Sequence, residues 1–207
     1  MKEIIMNTVK IVVITLVAGL LLALVYEVTA EPRAEQEAKA RQEALEAVFA
    51  DAAEFEEYDG YDEEMRDAVY AYVEEMGVSS SVAAVTEITY ALDENGECIG
   101  YVFTVDAYKG YGGTIEFMTG IRLDGTVNGY SITDISETVG LGMGAQEEEF
   151  YSQFENKNVE YFTFTKTGST AENEVDAISG ATVTTTAMVN GMNAAIYTFD
   201  YLEGMGV

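Results

Sequence analysis

Residues 176–186 read "DAISGATVTTT", a concentration of hydroxyl side chains in a chain with no histidine and a single cysteine. A serine or threonine hydroxyl becomes a nucleophile when a neighbouring base takes its proton, and in a Ser-His-Asp triad that base is an imidazole. No such triad can form here. Such a stretch can still be acted upon without acting, or cap a helix. Cys98 stands alone, which excludes a disulfide framework, a CxxC pair and a cysteine–histidine metal site. It reads as a small, half-buried strand residue.

The elements around the cluster give it a location. Met188, Met192, Ile196 and Phe199 recur at helical spacing and predict a final helix over residues 184–202 with these side chains in the core. Residues 176–182 then form the loop feeding its N-terminus. Such an end presents unpaired N–H groups and the positive end of the helix dipole, which suit a phosphate. Gly180 and Ala181 let a ligand approach the backbone closely. An ordinary helix start, with Ser179 or one of the threonines as N-cap, accounts for the same residues. Spacing leaves both readings open.

Upstream the period changes to that of strands. β-Branched and aromatic residues flank Asn95-Gly96 in "VTEITYALDENGECIGYVFTVDAY", and the pattern repeats around Asp124-Gly125. Four antiparallel strands at the centre of the fold follow. "EEEFYSQF" reads as a short helix and "VEYFTFTK" as a further strand. Before the strands, Met65, Val69, Tyr70 and Val73 mark the inward face of a helix that stops at Gly77. The carboxylates around it lack the ligand spacing of a calcium loop and read as a solvated surface; no metal site is expected. The fold class is α+β, a central antiparallel sheet flanked by helices.

The N-terminal segment is the most legible. Residues 11–26 carry no charge, and the stretch between Glu3 and Glu27 can cross the roughly 30 Å hydrocarbon layer if Lys10 snorkels to the headgroups. Lys2 and Lys10 lie on one side and Glu27 and Glu31 begin the other, so the positive-inside rule puts the N-terminus in the cytoplasm. A cleaved signal peptide is the rival, because "VTA" at 28–30 offers small residues for cleavage. The apolar stretch is long for that role, and both readings place residues 31–207 across the membrane. "EPRAEQEAKARQEALEAVFADAAEF" is rich in helix formers, with Pro32 where a helix can start and Leu45, Val48, Phe49 and Ala52 on one face. The expected organisation is an anchor over residues 1–30, a helical stalk over 31–54 and an extracytoplasmic domain over 55–207. The formal net charge of −27 repels nucleic acid and excludes it as a partner.

Three motifs in order carry a family resemblance. Asp176-Ala177-Ile178-Ser179-Gly180-Ala181-Thr182 resembles the flavinylation motif Asp-x-x-Ser/Thr-Gly-Ala-Thr of membrane-bound FMN-binding subunits. "GYGGTIEFMTGI" at 110–121 resembles their Gly-Tyr-Gly-Gly motif, and "ETVGLG" at 137–142 their Glu-Thr-Pro-Gly-Leu-Gly loop, with Val139 in the proline's place. The family comprises the G subunit of the Rnf electron-transport complex and the C subunit of the sodium-pumping NADH:quinone reductase. Chain length sides with the Rnf protein. The resemblance implies FMN joined through its phosphate to Thr182, attached by a separate flavin transferase that takes the FMN unit from FAD. It implies a ring site bordered by Tyr111, Gly112, Gly113, Glu137, Thr138, Leu141 and Gly142, with Asp176, Ser179, Gly180, Ala181, Thr184 and Thr185 around the tether. Tight turns at the glycines and a loop-capping role for Glu137 and Thr138 fit the same residues. The implied partners are the other membrane and redox subunits of an Rnf-type ion-translocating ferredoxin:NAD oxidoreductase. Two further functions are compatible with the residues: a stand-alone flavinylated extracytoplasmic reductase, and a non-redox binding module on the same fold.

Overall fold

The computed structural model describes residues 1–206. Val207, the last residue of the expected domain, lies outside the described residues, as do the side chains of Ala34 and of Glu31, one of the acidic residues that follow the apolar segment. The chain divides into two units, Met1–Gln42 and Glu43–Val207.

The first unit is helical. It holds most of α1 (Lys2–Val48), whose apolar part, Lys2–Ala30, has no buried residue. Inside that part Thr8, Thr15 and Thr29 donate their hydroxyls to the carbonyls of Ile4, Ile11 and Val25 at 2.9, 3.0 and 2.8 Å. Pro32 does not start a helix but lies within α1. Proline removes one donor from the ladder, and the Ala, Glu, Gln and Arg that follow favour the helix enough to carry it through.

The second unit is built on a five-stranded antiparallel meander, β1 (Glu54–Glu57), β2 (Ala83–Leu92), β3 (Cys98–Ala107), β4 (Ile115–Arg122) and β5 (Val127–Asp134), hydrogen-bonded in chain order. The hairpins turn where Gly96 and Gly125 supply positive φ. Cys98 opens β3 half-buried. α2 (Glu63–Glu75) starts on Asp62, whose carboxylate accepts from Met65 N–H at 2.9 Å, and the chain leaves it through Gly77 at positive φ.

One face of the sheet packs against α4 (Thr182–Met205). Ile88, Phe103, Val105, Phe117 and Ile121 meet Met188, Met192, Ile196 and Phe199 in one buried cluster, as the helical spacing predicts. Gly191 brings the helix close: a β-carbon there would lie 2.7 Å from the Phe117 ring. The other face receives the last turn of α1 and the residue after it, where Leu45, Val48 and Phe49 bury against Ala91, Val102 and Met118. Polar contacts fix that end. Arg122 forks onto Asp51 at 2.9 and 3.0 Å and lies over the Phe49 ring, and Asn128 Nδ2 donates to the Val48 carbonyl at 2.8 Å.

Two strands depart from the sequence reading. Glu54–Glu57, read as the end of the stalk helix and the start of an acidic surface, is an edge strand paired with Thr89–Leu92. Its glutamates stay exposed while Phe55 packs on the outer cluster, and charge along such an edge discourages further pairing. The strand expected in "VEYFTFTK" is confined to β6 (Thr163–Thr165) and pairs in parallel with β7 (Glu174–Asp176). Between β5 and β6 lie a 3-10 turn (Gly142–Gln146) and α3 (Glu148–Tyr151), followed by a second 3-10 turn.

Candidate functional site

Three segments far apart in the chain meet at the N-terminus of α4. The first is the turn at residues 110–114, which leads into β4. The second is the loop at 137–142, which leads from β5 into the 3-10 turn. The third is the 177–181 connection from β7 into α4, with Gly180 at positive φ.

Glu137 ties them together. Its side chain is buried, 8% exposed. One carboxylate oxygen accepts from Gly112 N–H at 3.1 Å and the other from the Thr184 hydroxyl at 3.0 Å. The two donors satisfy a charge that burial would otherwise penalise. Gly142 stands where no side chain fits, since a β-carbon would run into Glu137 Oε2 and lie 2.6 Å from Thr184 Oγ1.

The junction opens into a cleft of 450 Å³ lined by Tyr111, Glu137, Thr138, Leu141, Gly142, Gly180, Ala181, Thr182, Val183 and Thr184. That volume lies in the range of small-molecule sites. Nine of the fourteen residues assigned to the cofactor by resemblance lie on this wall. Gly112 stands behind it as the donor to Glu137. Gly113 has φ +138 and does not line the cleft. Thr185 is buried beneath it, donating to Ala181 O at 3.0 Å and accepting from Ile178 N–H at 3.1 Å. Asp176 and Ser179 line a neighbouring cleft beyond Leu141. The Asp176 carboxylate there accepts from Ser169 N–H at 2.7 Å and from the Ser169 hydroxyl at 3.3 Å, which closes the 169–176 loop. Val183, absent from the sequence-based set, lines the cleft and is 49% exposed. No motif marks it, because only its place on the first turn of α4 turns it outward.

The threonines of α4 divide by hydrogen bonding. Thr184 donates to Glu137, Thr185 to Ala181 O, and Thr186 to Thr182 O at 2.7 Å. The Thr182 hydroxyl makes no hydrogen bond among the described residues, is half-buried, and lines the cleft. The N-cap position is Ala181, which has no hydroxyl, so neither Ser179 nor a threonine caps the helix. The first N–H groups of α4 therefore lack a side-chain acceptor and are available to an anion. A free hydroxyl, an uncapped helix end and a cleft of this size can accommodate a phosphate-bearing ligand.

The family described as FMN-binding domain matches residues 110–197, a span that contains every residue lining the cleft. The G subunit of the ion-translocating oxidoreductase complex of Methanosarcina acetivorans is 34% identical over 205 residues, covering 98% of this chain and 96% of that protein. The G subunit of the Na(+)-translocating ferredoxin:NAD(+) oxidoreductase complex of Acetobacterium woodii is 32% identical over 193 residues, covering 92% and 89%. Among solved structures, the C subunit of the Na(+)-translocating NADH-quinone reductase of Parabacteroides distasonis aligns over 72% of this chain and 76% of that one, with a TM-score of 0.49 and 18% identity.

Proposed function

Because this chain belongs to the family of G subunits of ion-translocating oxidoreductase complexes, we propose that it is a membrane-anchored electron-transfer protein with FMN held as a phosphoester on Thr182. The observation that carries the attachment site is the Thr182 hydroxyl, unbonded at the edge of a cleft, while Thr184, Thr185 and Thr186 spend theirs on protein acceptors. Bound there, FMN supplies the one- and two-electron redox chemistry, and the chain supplies position and field. The uncapped N-terminus of α4 faces the remaining phosphate charge. Tyr111, Leu141 and Val183 offer apolar surface to a ring, and the Glu137 junction holds their three segments in register. Electron transfer needs no histidine. The tether replaces reversible affinity with a fixed high local concentration, which suits a cofactor exposed to a dilute exterior.

A separate flavin transferase performs the attachment: the Thr182 oxygen displaces AMP from FAD and the hydroxyl proton leaves to the transferase. The apolar part of α1 anchors the chain, since a helix apolar on all sides finds a solvent in lipid and its threonines already satisfy their own hydroxyls. Lys2 and Lys10 set the N-terminus in the cytoplasm and leave the FMN domain outside. Its partners are the other redox and membrane subunits of an Rnf-type complex.

The test is coexpression with and without a flavin transferase. With it, the chain gains the mass of one FMN less a water, and peptide mapping finds the adduct on Thr182. Thr182→Ala stays colourless, while Thr184→Ala and Thr185→Ala are labelled. An adduct on Ser179, Thr184 or Thr185, or none at all, sinks the assignment. Flavin without co-purifying redox subunits from native membranes would favour a stand-alone reductase.

A further inference from the structure

Leu141 is a wall shared by two clefts. One holds Thr182. The other, of 530 Å³, has Val139, Phe150 and Ile178 among its apolar lining and Glu147, Glu149 and Asp176 as its acidic lining. No lysine or arginine lines it. Val139 is 86% exposed, more than any other large apolar side chain described in the second unit. It does not line the Thr182 cleft, so a ring seated there leaves it bare. An exposed apolar patch edged by charge is the usual mark of an interaction surface.

We propose that this second cleft, with Val139 at its mouth, is the docking surface for a lysine- or arginine-edged apolar segment of the protein that exchanges electrons with the flavin. The proposal rests on the reading of Thr182 as the flavin site. Charge selects the occupant. A second copy of this chain would bring Glu147 and Glu149 against their own images, and an anionic lipid surface is repelled by a chain of net charge −27. A basic partner is attracted from a distance by the same field and oriented by the two carboxylates. An apolar centre with a charged edge gives the fast, reversible encounter that electron transfer requires. Docked there, the partner shares the Leu141 wall with the flavin cleft.

The experiment places a photo-crosslinking residue in the full chain, Val139→p-benzoylphenylalanine, expressed in its own membranes. A companion chain adds Glu147→Lys and Glu149→Lys. The expected adduct joins this chain to a different polypeptide, at a segment that mass spectrometry maps beside lysines or arginines. Charge reversal cuts its yield by about tenfold or more, since like charges across an interface cost several kcal/mol. In-gel flavin fluorescence and melting temperature stay as in the unaltered chain, which shows that fold and cofactor attachment are intact. An adduct between two copies, adducts with lipid only, no adduct, or a yield indifferent to charge reversal would each overturn the proposal. Absence of flavin from the unaltered chain sinks the flavin reading instead, and the crosslinking outcome is scored separately.

Discussion

The Thr184 hydroxyl and the Glu137 carboxylate, 47 residues apart in the chain, meet at 3.0 Å in the buried floor of the cleft. The other oxygen of Glu137 holds the Gly112 N–H. The carboxylate is thus a joint between three segments before it is anything to a ligand. Replacing Glu137 by Ala strands two donors and should destabilise the fold by about 1–3 kcal/mol. Flavin should remain on Thr182, with an altered absorption spectrum or midpoint potential. Glu137→Gln keeps an acceptor for Gly112 and should recover most of the stability. A spectrum and potential unchanged in Glu137→Ala would confine the residue to a structural role. Chemical denaturation and redox titration of the full chain in detergent read both effects.

Asn193 tests a second long-range joint. Its side-chain oxygen accepts from Phe162 N–H at 2.6 Å and its nitrogen donates to Phe162 O at 2.9 Å, inside the core between α4 and the segment entering β6. Asn193→Ala leaves both backbone groups buried without partners and should cost about 2–4 kcal/mol. Flavin attachment should survive, because the residue lies about three turns beyond Thr182 on α4. Thermal melts and flavin fluorescence of the same preparation separate the two outcomes.

Two aspartates predict opposite pH effects. Burial, with Glu116 opposite on β4, pushes Asp106 above the usual carboxylate range, against the hydrogen bond from Tyr108. Its folded form holds the proton more tightly than the unfolded chain, so stability falls as pH rises through that window. Asp106→Asn should therefore raise the melting temperature at neutral pH and have little effect in acid below the unfolded value. The Arg122 fork holds Asp51 below the usual range. Its contribution is present above the unfolded pKa and is lost as pH falls through the folded one. Asp51→Asn should lower the melting temperature at neutral pH and converge with the unaltered chain in acid. Melts across pH 3–8 that show both variants shifting the same way would contradict this assignment of signs.

Topology gives a third kind of measurement. With Lys2 and Lys10 inside, protease added to protoplasts or spheroplasts should remove most of residues 31–207. Digestion confined to inverted vesicles would reverse the orientation. A mature chain beginning at Glu31 would favour a cleaved signal.

What the sequence determined by itself is local. The stripe of Met188, Met192, Ile196 and Phe199 sets the inward face of α4, and Asn95-Gly96 and Asp124-Gly125 set two turns of the meander. The apolar run at the N-terminus fixes a helix long and apolar enough to cross a membrane. Such features are written in neighbours three or four residues apart on a helix, or two apart on a strand, so a single pass along the chain reads them. The motif around Thr182 was legible as a motif, through its resemblance, but not as geometry.

Only the tertiary structure decided which hydroxyl is free. Thr182 and Thr184 are indistinguishable by spacing, and they part because Glu137 arrives from another loop to take one and leave the other. The same holds for Leu141, which lines both clefts, with Asp176 and Ser179 in one and Tyr111 and Thr182 in the other. β1 and the parallel pair β6–β7 are three or four residues long, too short to show a period, and exist through their partners. A buried carboxylate needs donors, and which donors it finds depends on how distant loops are brought together, a choice that no local pattern encodes.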